Sequence, residues 1–99
     1  MIVVYDRRGF TPLLSLEEDS LCGLDLSGAN LENANLVQHD LSGCDLSRAN
    51  LQGADLRLAN LSNANLSHAN LIDADLTGAR TEGAVWDKAR LSEAVVELS

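Results

Sequence analysis

The sequence predicts an all-β solenoid, a coil of short extended segments whose turns stack around a filled interior. Three observations carry this. Leucine returns at every fifth residue, without a break, from Leu21 to Leu76. Alanine stands two positions before most of these leucines, and asparagine or aspartate one before. A period of five belongs to neither of the common regular structures.

In an α-helix a five-residue step rotates the side chain by about 140°, so the leucines would spread around the whole cylinder. In a straight strand side chains alternate between faces, and an odd step sends successive leucines to opposite sides. Within one repeat, however, Ala and Leu are two apart and share one side of an extended piece. A pentapeptide that is briefly extended, with Ala and Leu inward, and then turns always the same way winds into a coil. Stacked coils pair like parallel strands, with Leu over Leu and Ala over Ala.

Residues 1–18 precede the repeats and are expected to cap them, since an open solenoid end exposes unpaired backbone and apolar core. Ile2–Tyr5 is β-branched and aromatic and reads as an extra strand. Thr11-Pro12 reads as a helix N-cap and first helical position, with Leu13, Leu14 and Leu16 following, so a short helical turn is expected there.

The repeat body is expected over residues 19–98. Its central position continues past Leu76 through Thr81, Trp86, Leu91 and Val96. The Asn/Asp position becomes Arg80, Val85, Arg90 and Val95 at this end. Tryptophan exceeds a leucine-width interior and belongs near an open end. Leu91, Ala94, Val95 and Leu98 also fit an amphipathic helix, but the unbroken alanine phase favours the solenoid. A terminal coil with Val85, Trp86, Val95, Val96 and Leu98 and no evident polar cap is a candidate interface for end-to-end homodimerisation.

Tandem A(N/D)LXX, sixteen times in one phase from Asp19 to Leu98, resembles the pentapeptide-repeat family. That resemblance implies a right-handed quadrilateral parallel β-helix with twenty residues to a coil. It gives about four coils and a rod about 19 Å long at the usual strand spacing. Family members that act on topoisomerases dimerise through their C-terminal ends, which supports the interface just described.

The 99 residues carry 15 acidic and 7 basic side chains, a net charge of −8. Such a balance excludes direct nucleic-acid binding, which needs a basic footprint, and disfavours anionic membranes. The first residues are apolar too briefly for a signal core or a membrane span. Cys22 and Cys44 form no CxxC, so reduced thiols and a cytoplasmic location are expected.

No nucleotide-binding loop, metalloprotease motif, nucleophile elbow or zinc-ligand spacing occurs, so neither an enzyme nor a cofactor is expected. Ser27, Ser42, Ser47, Ser62 and Ser67 recur at one repeat position and read as turn residues. His39 is inward, stacked between Asp19 and Ala59, and reads as half of a satisfied polar pair with Asp19. His68 reads as a solvated corner residue. The expected function is a protein-interaction module with an unknown partner, presenting a rigid acidic surface that includes Asp25, Asp45, Asp55 and Asp75. The alternative follows from the resemblance: a DNA-mimicking modulator of DNA gyrase or a related type II topoisomerase. The repeats carry one net charge per roughly 2.7 Å of rod, against one per about 1.7 Å of duplex.

Overall fold

The computed structural model describes residues 1–96. Leu98 therefore lies outside the described residues. The chain opens with β1 (Ile2–Tyr5) and β2 (Pro12–Leu16), an antiparallel pair with Ile2 opposite Leu16 and Val4 opposite Leu14. The helical turn expected at Thr11-Pro12 is this second strand. Pro12 opens the strand, a place where its missing N–H is tolerated. The leucines that follow pair with β1 across a bulge between Val4 and Tyr5. A local helix-start signal has yielded to a neighbouring strand that needed a partner.

From Leu21 the backbone winds. Asp25 bridges Asp45, Asn30 bridges Asn50, Asn35 bridges Asp55 and Asp40 bridges Asn60, all parallel and all twenty residues apart. One rung is thus twenty residues, or four pentapeptides. Each side of a rung is stitched to the next in both directions: Leu26 N donates to Asp45 O (2.8 Å), and Asp45 N donates to Leu24 O (2.9 Å). The same ladder reaches Val95, which bridges Asp75. The coil, not the amphipathic helix, continues through these last residues.

The corners explain the period. Ala34 N donates back to Leu31 O (3.0 Å), closing a four-residue turn in which Asn33, the third residue, has φ 59°. Only that third residue is left-handed, which makes this a type II turn. The pattern repeats two positions after each central residue, and nine non-glycine residues take positive φ there, Leu58 among them. The Asn or Asp before the leucine secures the same corner: Asn30 Oδ1 accepts from Glu32 N, and Asn60 Oδ1 accepts from both Ser62 N and Ser62 Oγ. These are Asx turns, in which a short polar side chain mimics a turn of backbone.

The interior is dry and uniform. Leu36, Leu46, Leu56, Leu66 and Leu76 are fully buried, as are Ala49, Ala59, Ala69 and Ala74 between them. Cys44 replaces an alanine there, donates its thiol to Leu21 O, and has its pKa raised by burial. The hairpin lies against this interior at the first rung. Val4 is buried in the core, and Ile2, Leu13, Leu14 and Leu16 pack on it. Its chain continues as an antiparallel neighbour of the first rung, with Arg7 N donating to Asn33 O and Asn35 N to Tyr5 O.

His39 is half-buried, but it does not pair with Asp19. Asp19 is almost fully exposed and takes the Met1 ammonium at 2.9 Å.

Candidate functional site

Two surfaces follow from this winding: the rim of the last rung and the sides that carry the aspartates. Among the described residues, no rung stands above the one that runs through Thr81, Trp86 and Leu91. One rung lower, Leu61, Asn63, Leu66, His68, Leu71 and Asp73 donate their amides upward to Arg80, Glu82, Val85, Asp87, Arg90 and Ser92. The equivalent amides of Thr81, Gly83, Trp86, Lys88, Leu91 and Glu93 donate to no acceptor among the described residues. The apolar interior opens at the same rim. Leu71 and Leu76 are 0% exposed, whereas Leu91 is 37% and Val96 44% exposed. Trp86 tops the column of Leu26, Leu46 and Leu66 and packs half-buried against the core.

On the outer sides of this rung Val85 and Val95 are exposed. They occupy opposite sides, ten residues or half a rung apart. Arg80 and Arg90 hold the other two. None of the four can make the Asx turn, so the last corners lack the side-chain acceptor that secures the lower ones. Val85, Trp86, Val95 and Val96 are thus brought to one rim. Leu91 joins them, a residue that sequence reasoning passed over. Its signal was present, since it holds the central position of the terminal rung.

A model of pentapeptide repeats matches residues 25–63 and 44–80, in eight copies. The chain belongs to the pentapeptide-repeat family. Its repeats accordingly form a right-handed β-helix, as in the family's solved structures. One similar structure is the pentapeptide repeat protein Rfr23 from the cyanobacterium Cyanothece 51142. It is 48% identical, with a TM-score of 0.71, over 72% of this chain and 48% of that one. A second is the pentapeptide repeat protein alr5209 from Nostoc Pcc 7120. It is 43% identical, with a TM-score of 0.59, over 71% of this chain and 62% of that one. The chain thus spans about half to three fifths of the length of these relatives. Comparison with the curated proteins finds no match.

In this pentapeptide-repeat chain the four aspartates expected to form an acidic surface fall into two pairs. Asp25 bridges Asp45, and Asp55 bridges Asp75. Asp45 and Asp55 are half a rung apart, so the pairs face opposite ways and make no common patch. All four carboxylates serve corners. Asp25, Asp45 and Asp75 each accept from the backbone and the hydroxyl of Ser27, Ser47 and Thr77. The Ser27 hydroxyl, with help from its amide, holds the Asp25 pKa below the ordinary carboxylate value.

Asp55 is the buried one, at 6% exposure. The Arg57 guanidinium clasps it with two bonds of 2.8 and 2.7 Å and lowers its pKa against the opposing effect of burial. Its charge is therefore offset on the spot. Among the described residues no group of three or more metal-ligating side chains gathers, and no helix is long and apolar enough to cross a membrane.

Proposed function

We propose that this chain is a non-enzymatic interaction module of the pentapeptide-repeat family that works through the rim of its last rung. In this reading residues 1–18 cap the first rung, and residues 19–98 form a rigid rod of about four rungs. The partner at the rim is a second copy, stacked end to end. The observation that carries the reading is the coincidence at one rim of amides that find no acceptor among the described residues with exposed Val85, Leu91, Val95 and Val96. From Gly23 to Leu76 the equivalent amides are bonded to the next rung, and the central leucines are buried. A second rim would supply backbone partners and apolar cover together, as one rung does for the next. Free Cys22, exposed, and free Cys44, buried, fit a reducing compartment such as the cytoplasm.

DNA mimicry loses its support on the same geometry. A duplex presents its charge as continuous rails, whereas these carboxylates are split between two sides and engaged at the corners. The rod's surface acidity keeps it soluble.

Solution mass by light scattering tests the reading on the native protein and on Trp86→Ala/Val95→Asp. A native dimer that the double variant converts to a folded monomer is the expected result. A native protein that stays monomeric at high concentration would overturn the reading.

A further inference from the structure

The corner that follows Val85 on the last rung carries a second feature. Arg48, His68 and Lys88 stand twenty residues apart, each at the left-handed corner position, with φ of 60°, 59° and 58°. Bridges fix the register on both flanks: Asp45, Asn65 and Val85 on one side, Asn50, Asn70 and Arg90 on the other. Matching backbone angles in a fixed register aim the three Cα–Cβ bonds in the same direction, one rung apart, or about 4.8 Å. All three side chains are exposed.

Among the described residues no other column of the rod gathers basic side chains. The other corners carry glycine, Asn63, Asn33, Asp73, Glu93, Gln38 and Leu58. The two ion pairs among the described residues, Met1 with Asp19 and Arg57 with Asp55, involve none of the three. Asp87 flanks the upper end and Arg90 adds charge beside it. Arg48 and Lys88 thus place two cations two rungs apart, with the His68 imidazole between them, in a chain whose net charge is −8.

We propose that the Arg48–His68–Lys88 corner is a docking strip for an acidic α-helix of a partner protein. Charge complementarity sets the sign of the partner, and spacing sets its form. Side chains three or four apart on a helix have Cβ atoms about 5–6 Å apart, close to the rung spacing of about 4.8 Å. Carboxylates at i, i+4 and i+7 of a helix therefore meet the three basic groups in turn. An extended peptide presents same-side residues only every 6.6–6.8 Å or so, and falls out of step by the third. The strip runs up a side of the rod, so it deepens the protein-interaction reading without requiring the end-to-end dimer.

The test is titration of an alanine-rich helical peptide, with glutamate at i, i+4 and i+7, into isotope-labelled protein. Amide shifts are expected to cluster at Arg48, His68, Lys88 and their flanks, and to fade with added salt. Arg48→Gln and Lys88→Gln should each weaken binding by roughly two- to five-fold, the size of an exposed charge contact. Glutamine is tolerated in this backbone, since Gln38 holds φ 61° at another corner. The triple glutamine variant should abolish the clustered shifts and melt no lower than the native protein. Shifts scattered elsewhere, undiminished binding by the triple variant, or equal affinity for a glutamate–valine alternating peptide would each overturn the proposal. A monomer that binds the helix leaves the strip standing without the dimer. A dimer that does not bind it removes the strip alone.

Discussion

Leu58 holds a left-handed backbone directly beneath Gly78, and a Cβ on that glycine would stand 2.7 Å from Leu58 Cδ2. The leucine side chain lies over the space the glycine leaves empty, yet remains 57% exposed. A bulky residue at positive φ carries steric strain that asparagine largely avoids. Leu58→Asn should therefore stabilise the protein by about 0.5–1 kcal/mol, read as a shift in the urea midpoint. Gly78→Ala should destabilise it, and Leu58→Asn should not relieve the loss, because Asn33 beneath Gly53 and Asn63 beneath Gly83 set their Oδ1 closer still to where such a Cβ would stand.

Leu51 is fully buried and Leu91, two rungs above it in the same column, is 37% exposed. Leu51→Ala should cost about 2–5 kcal/mol through lost transfer energy and a cavity between stacked neighbours. Leu91→Ala should cost much less. Comparable losses at both positions would mean that the rim is covered in solution, which chemical denaturation of dilute and concentrated samples would reveal.

Acid sensitivity should trace to Asp55. Its folded pKa lies below the ordinary 3.8, first through the hydrogen bond from Arg57, so its contribution is fully present above that value. The contribution is lost as pH falls through the depressed folded pKa. Asp55→Asn retains an acceptor for the Arg57 amide but loses the ion pair. It should flatten the acid limb of a stability–pH profile while leaving the fold intact. Exposure of Arg57 keeps the effect modest.

His39 should govern a milder window. Burial disfavours its imidazolium and lowers its pKa from the ordinary 6.5. The unfolded chain therefore binds the proton more readily, and stability falls as pH drops through and below about 6.5. His39→Ala, which restores the commonest residue of that position, should remove this slope and raise stability below it. An unchanged slope would assign the titration elsewhere.

The repeats were the most legible part of this chain because one small pattern fixes both burial and turn. Ala49 and Leu51 point inward since they are two apart, and Asn50 between them secures a corner. The number of pentapeptides to a rung was not legible from the period, since extended pieces of five close into coils of several shapes. The twenty-residue bridges settle it, and family resemblance had implied it. Leu58 shows a second limit: nothing in leucine advertises positive φ, and only its phase with Gly53 and Gly78 places it at a corner. Thr11-Pro12 failed for a different reason, because pairing with Ile2–Tyr5 outweighed a local start signal. At the candidate sites the exposed valines of the last rung could be read from phase alone. The engagement of the aspartates could not, since a carboxylate that solvates a surface and one that closes a turn are the same letter.

The twenty-residue register makes position around the rod a matter of arithmetic. Deleting any twenty consecutive residues from the middle of the rod would shorten it by a storey and leave every later side chain on its original side. Deleting five would keep all the leucines inward, yet rotate everything downstream by a quarter turn relative to everything upstream. Interior and exterior thus answer to different clocks, one of five and one of twenty. A pentapeptide lost or gained is nearly silent to the core, while it reassigns which outward residues are neighbours, and a new face can arise without a single substitution.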